Sequence, residues 1–216
     1  MFTGLVQKVA EVTGVRHAGA SSAIELDLGE LAGEVRMGDS ILVDGVCLTV
    51  AANHGGQAAF DVSAETLRLS TLGGLHRGSR VNVELAMRPT DRFGGHFVSG
   101  HVDGMGTILS KAPRAGETRL RVQAPSAITD MMVMKGSVAV DGISLTIAGL
   151  EGDVFEVSLI PHTLAATTLG QKGAGARVNI ECDMIGKWVR RWLQDFGPAA
   201  RGAGGITLER LREEGF

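Results

Sequence analysis

His101, Ser144, Asp183 and Lys135 stand out when the sequence is laid over its own other half. Each occupies a column whose counterpart, 96 or 97 residues earlier, is Leu5, Cys47, Ala86 or Gly38. An imidazole, a hydroxyl, a carboxylate and an ammonium are the groups needed to move protons and hold a polar substrate. Cys47 in the first half is a further candidate, either as a nucleophile or as a small residue lining a pocket. A hydrolytic Ser-His-Asp triad is not expected, because no Gly-x-Ser-x-Gly elbow surrounds Ser144. His96 and His101 are five apart, so a continuous strand would send them to opposite faces, and no metal pair is expected. Gly73-Gly74 and Gly94-Gly95 give no phosphate-loop pattern, and nothing implies a nucleotide cofactor.

The comparison rests on an internal duplication. Phe-Thr-Gly-Leu-Val from Phe2 lies over Val-Ser-Gly-His-Val from Val98. The segment from Met37 through Val-Asp-Gly-Val-Cys-Leu-Thr lies over that from Met134 through Val-Asp-Gly-Ile-Ser-Leu-Thr. Thr71-Leu72-Gly73 matches Thr168-Leu169-Gly170, and Arg80-Val-Asn-Val-Glu84 matches Arg177-Val-Asn-Ile-Glu181. Four blocks in one order at a nearly constant offset mark a duplicated domain. The recurring columns are explained by fold alone, and the columns that change are where chemistry is sought.

The bulk properties agree with a packed protein. The 216 residues carry a formal charge of -3, which disfavours a nucleic-acid partner, and 44% of them are hydrophobic. No apolar run reaches the roughly 18–20 residues of a membrane helix. Met-Phe-Thr-Gly-Leu-Val-Gln-Lys carries no secretory signal features, so a cytoplasmic location is expected. Cys47 and Cys182 make neither a disulfide framework nor a zinc spacing. The 31 glycines follow no Gly-X-Y period and therefore read as turn residues between many short strands.

Each copy reads as a β unit. Val43-Asp44-Gly45-Val46 and Val140-Asp141-Gly142-Ile143 are hairpin signals between β-branched runs. Alternation puts Val46, Leu48 and Val50 on one face and Cys47 and Thr49 on the other. Ile143, Leu145 and Ile147 likewise oppose Ser144 and Thr146, and Val178, Ile180 and Cys182 oppose Asn179, Glu181 and Asp183. An apolar inside with a small polar outside fits a small closed barrel that works on its outer wall. After the second copy, Ile185, Trp188, Val189, Trp192, Leu193 and Phe196 fall at helical spacing. The class expected is all-β: two tandem homologous six-stranded barrels followed by a C-terminal α-helix. The expected boundaries are 1–90 and 91–184 for the barrels, 185–197 for the helix, and 198–216 for a linker and short terminal segment. The helix either docks on its own barrel or packs against the same helix of other subunits.

From Met1 to about Arg191 the sequence resembles riboflavin synthase of the trimeric α-chain type. The resemblance is carried by the opening Met-Phe-Thr-Gly-Leu-Val-Gln and by the Asp-Gly-Val-Cys-Leu-Thr and Asp-Gly-Ile-Ser-Leu-Thr pair. Gly-Gly-His-Phe-Val-Ser-Gly-His-Val-Asp-Gly and Ile-Pro-His-Thr-Leu from Ile160 complete it. It implies tandem six-stranded Greek-key lumazine-binding barrels and a C-terminal helix that holds a homotrimer. The reaction implied is the dismutation of two 6,7-dimethyl-8-ribityllumazine molecules, the last step of riboflavin biosynthesis. One gives a four-carbon unit to the other, yielding riboflavin and 5-amino-6-ribitylamino-pyrimidinedione. No cofactor is implied, because the heteroaromatic ring stabilises the carbanion at its own 7-methyl group. Each site is expected between the N-terminal barrel of one subunit and the C-terminal barrel of its neighbour. Lumazine synthase is the further partner the resemblance raises.

Carried over residue by residue, one half-site would use Gly4, Leu5, Val6, Cys47, Leu48, Thr49, Ala64, Glu65 and Thr66. The other would use Gly100, His101, Val102, Lys135, Ser144, Leu145, Thr146, Ile160, Pro161, His162 and Thr163. Strand backbone would meet the pyrimidinedione edge, and Glu65, Lys135 and hydroxyls would hold ribityl chains. His101, Ser144, Asp183 and Cys47 are the catalytic candidates. The competing reading is a non-catalytic lumazine or flavin carrier of the same fold. Retention of His101, Ser144, Asp183 and the apolar helix favours the enzyme.

Overall fold

A computed structural model describes residues 1–18, 21–114, 116–196 and Arg212. The first copy forms β1 (Lys8–Ala18), β2 (Ser21–Asp27), β3 (Ser40–Val43), β4 (Val46–His54), β5 (Gln57–Val62), helix α1 (Ala64–Leu69) and β6 (Arg80–Leu85). The second forms β7 (Gly104–Arg114), β8 (Glu117–Gln123), helix α2 (Ser126–Thr129), β9 (Ser137–Val140), β10 (Ile143–Glu151), β11 (Val154–Leu159), helix α3 (Pro161–Ala166) and β12 (Arg177–Cys182). Helix α4 (Met184–Phe196) follows.

Each set of six strands closes on itself in the order β1-β2-β5-β4-β3-β6 and its counterpart β7-β8-β11-β10-β9-β12. All pairs are antiparallel, and β1–β6 and β7–β12 pairing completes the rings. Strands β3, β4 and β5 form a meander and β6 returns beside β3, which is a Greek key. The Asp-Gly hairpins form as expected. Asp44 and Gly45 have φ of 43° and 82°, and Asp141 and Gly142 have 47° and 76°. Positive φ at both central positions marks the type I′ turn that matches strand twist.

The alternation holds on β4 and β10. Val46, Leu48 and Val50 are buried in the first core with Phe60 and Ile24, and Ile143, Leu145 and Ile147 in the second with Phe155 and Val178. Thr49 and Thr146 are exposed, and Cys47 and Ser144 are half-buried. Strand β12 differs: Asn179 and Glu181, expected on an outer polar face, are only 1% and 3% exposed. The reason is that Asn179 meets Asp44 and Thr71 of the neighbouring barrel, and Glu181 meets Ser99 and Gly100 of the segment leading into its own.

The recurring motifs build that junction. Asn82 and Asn179 each donate a side-chain N–H to the turn carbonyl of the opposite barrel, Asp141 O at 3.0 Å and Asp44 O at 2.7 Å. Their carbonyl oxygens accept from Thr168 N and Thr71 N, again across the junction. The carboxylates of Asp44 and Asp141 accept from the backbone N–H of Asn82 and Asn179. Gly45 and Gly142 meet so closely that a Cβ on Gly45 would lie 2.7 Å from Gly142 N. The exchange is reciprocal, so the two barrels are related by a local pseudo-two-fold.

Both barrels lie within one compact unit, Met1–Asp183, and the segment from Met184 forms a second. Helix α4 carries the expected stripe, with Trp188 70% and Trp192 57% exposed. The expected linker and terminal segment over 198–216 lies, except for Arg212, outside the described residues.

Candidate active site

The chain enters each barrel through a short segment that crosses the pseudo-two-fold. Phe2 and Val98 pair backbone to backbone at 2.8 and 3.1 Å. Glu84 then accepts from Thr3 N, Thr3 Oγ1 and Gly4 N, and Glu181 accepts from Ser99 N, Ser99 Oγ and Gly100 N. This clasp explains the recurring Val-Asn-x-Glu motif; burial pushes the Glu84 carboxyl above its usual range despite these donors. Gly4 O next accepts from Ser144 N at 2.8 Å, and Gly100 O from Cys47 N at 2.9 Å. Gly4 and Gly100 have φ of 78° and 83°, and a Cβ on either would collide with Ser144 or Cys47. Val6 packs against the second core and Val102 against the first.

This crossing corrects the half-site grouping expected from sequence. Gly4, Leu5 and Val6 belong with Ser144, and Gly100, His101 and Val102 belong with Cys47. Leu48 and Leu145 also differ from expectation as side-chain contacts, because both point into the cores, 5% and 8% exposed. They can offer a substrate only backbone groups.

The first half-site is a cleft of about 180 Å³ lined by Val46, Cys47, Glu65, Thr66, Leu69, Ser70, Gly100, His101 and Val102. Helix α1 presents Glu65 and Thr66 because Ser63 caps it, accepting from Thr66 N at 3.2 Å. Glu65 pairs with Arg68 at 2.7 and 3.0 Å, and this keeps its carboxyl below the usual range. His101 is exposed and lines this cleft together with Cys47. Ala64 and Thr49 are exposed beside the same elements.

In the second half-site, Ser144 Oγ meets His96 Nδ1 at 2.7 Å. Leu5, 49% exposed, and the Gly94-Gly95 turn close around them: a Cβ on Gly95 would meet Ser144 Cβ at 3.1 Å and collide with Thr3 O. His96 is buried, which pushes its imidazole below the usual range, while Asp183 and Glu181 pull the other way. Helix α3, counterpart of α1, opens at Ile160 with Pro161 in its first turn, leaving Ile160 and His162 exposed and Thr163 half-buried. Lys135, at φ 64°, takes the left-handed conformation that Gly38 adopts in the first copy. Keeping a side chain there costs about 1 kcal/mol relative to glycine.

Sequence comparison between the copies missed His96. Its column would fall before Met1, so there is no first-copy residue to contrast it with. The Gly-Gly-His run was the available signal.

A lumazine-binding domain model matches the chain twice, over residues 3–86 and 99–183. The riboflavin synthase of Bacillus subtilis (strain 168) is 42% identical over 216 residues, covering all of both chains. That of Mycobacterium bovis is 44% identical over 91% of this chain and all of its own length. The chain belongs to the riboflavin synthase family. Membership extends to distant members, with the riboflavin synthase of Photobacterium phosphoreum 34% identical over 100% of this chain and 99% of its own. Solved structures of LumP with riboflavin and with 6,7-dimethyl-8-(1'-D-ribityl)lumazine share the fold, at TM-scores of 0.78 and 0.76 and 22% and 21% identity. Each covers 84% of this chain, and the match spans 99% and 98% of those chains. The chain carries the Cys47 thiol and the Ser144 hydroxyl at equivalent positions of its two barrels.

Proposed function

We propose that this chain is a transferase that dismutates two molecules of 6,7-dimethyl-8-ribityllumazine into riboflavin and 5-amino-6-ribitylamino-pyrimidinedione. The observation that carries the reading is full-length identity of about 40% to riboflavin synthases from several bacteria. The duplicated lumazine-binding fold supports it, since the reaction needs two copies of one substrate held face to face. Atoms and electrons balance between the two lumazines: one loses a four-carbon unit, the other gains it, and no outside oxidant enters.

The chain's own residues would bind, orient and move protons. Strand backbone at β4 and β10 would meet the pyrimidinedione edges. Thr49, Glu65 and Thr66 would hold one ribityl chain, and Lys135, Thr146, His162 and Thr163 the other. His101 with Cys47, and Ser144 with Asp183, would serve the proton transfers around the 7-methyl carbanion and the transferred carbons. The exposed stripe on α4 supports a homotrimer held by residues 185–197, with each complete site made of one subunit's N-terminal barrel and its neighbour's C-terminal barrel. A cytoplasmic location and association with lumazine synthase complete the proposal. The test is incubation of purified chain with purified lumazine: riboflavin appearing without added cofactor supports the enzyme, and tight lumazine binding without turnover supports a carrier.

A further inference from the structure

We propose that His96 is the positioning residue for Ser144, and that the bend at Gly95 delivers its ring there. The inference rests on the dismutation reading above.

Three features of the geometry carry it. His96 is 7% exposed, its Nδ1 reaches Ser144 Oγ at 2.7 Å, and among the described residues its Nε2 has no partner. A buried ring nitrogen left unpartnered is unfavourable, so the ring is not retained for a hydrogen-bond network of its own. Among the described residues, the one side-chain bond it makes is to Ser144. Gly95 can carry no side chain, since a Cβ would collide with Thr3 O and press on Ser144 Cβ at 3.1 Å. His96 N in turn donates to Thr3 O at 3.1 Å, which fixes the loop against the crossing segment. The bend, the crossing segment and the serine strand are thereby locked together around one hydroxyl.

The consequence concerns direction. An unrestrained serine hydroxyl samples several staggered orientations. Burial pushes the His96 imidazole below its usual range, which favours the neutral ring with one N–H to place. With the proton on Nδ1, the ring donates to Ser144 Oγ and Nε2 keeps only a lone pair, the less costly orphan. The hydroxyl hydrogen then points away from the ring, as a preoriented donor for charge developing on a bound lumazine. Cys47, at the equivalent position of the first barrel, faces the His101 cleft instead. The two half-sites therefore differ in a restrained hydroxyl as well as in Ser for Cys.

The experiment compares full-length wild type, His96→Asn, His96→Gln, Ser144→Ala and His96→Gln/Ser144→Ala in lumazine turnover and in fluorescence titration of lumazine binding. Asn places a polar atom near the Nδ1 position, whereas Gln places one near Nε2. The expected result is a loss in kcat of about tenfold or more for His96→Gln, with KM and binding changed less than about twofold. His96→Asn recovers most of that loss, and His96→Gln adds less than about twofold in the Ser144→Ala background. Equal losses for Asn and Gln, an undiminished loss in the Ser144→Ala background, or joint loss of binding and turnover in both His96 variants would overturn the proposal. A wild-type chain that binds lumazine but makes no riboflavin overturns the dismutation reading itself, and the proposal with it.

Discussion

Lys135 and His101 show how differently a single side chain can be committed to a site. Lys135 keeps an unfavourable backbone conformation that glycine adopts freely in the other copy. Lys135→Gly should therefore raise stability by up to about 1 kcal/mol while lowering lumazine turnover, measured by chemical denaturation and a riboflavin assay. Unchanged turnover would mean the ammonium is not used. His101→Gln and Ser144→Ala should each lower kcat by at least about tenfold with the fold intact by circular dichroism. Full turnover in either variant removes that residue from the catalytic set. These residues were legible in the sequence as candidates because duplication supplies an internal control, in which columns change from inert to polar. The pairing of columns was not legible. His101 sits by Cys47 because Gly100 bonds across the pseudo-two-fold, and linear order puts it next to the wrong half.

At the scale of elements, the type I′ hairpins were readable from Asp-Gly between β-branched runs, since few dipeptides accept two positive φ values. Alternation puts Asn179 and Glu181 on the polar outer face of β12 but cannot reveal that the face is buried, Asn179 by the other barrel and Glu181 by the Ser99-Gly100 segment. The same junction buries Asp44 and Asp141 near one lysine, Lys172, whose Nζ meets Asp141 Oδ2 at 2.6 Å. Burial, reinforced by Asp141, raises the Asp44 carboxyl to about 7 from its ordinary 3.8. A raised carboxyl means the folded chain holds a proton that the unfolded chain has released. Asp44 therefore makes stability fall as pH rises from about 4 to about 7. Asp44→Asn keeps an acceptor for Asn82 N and removes the titration, so its unfolding free energy should depend less steeply on pH across that window. Parallel curves for the two proteins would rule out Asp44 as a source of the slope.

For the whole molecule, the duplication was plain in the sequence, whereas the closed Greek-key order was not, because the hydrophobic pattern records faces and not neighbours. Helix α4 was legible from its period, and its exposed tryptophans call for a partner. Trp188→Glu with Trp192→Glu should shift sedimentation from trimer toward monomer and lower turnover, while the barrels keep their β-sheet circular dichroism. A trimer that persists would assign assembly elsewhere. The central claim is dismutation between two lumazines, and its most direct test is stoichiometry in a cofactor-free reaction of purified chain. The account predicts one riboflavin and one pyrimidinedione for every two lumazines consumed. Lumazine bound tightly and recovered unchanged, with no riboflavin formed, would contradict it.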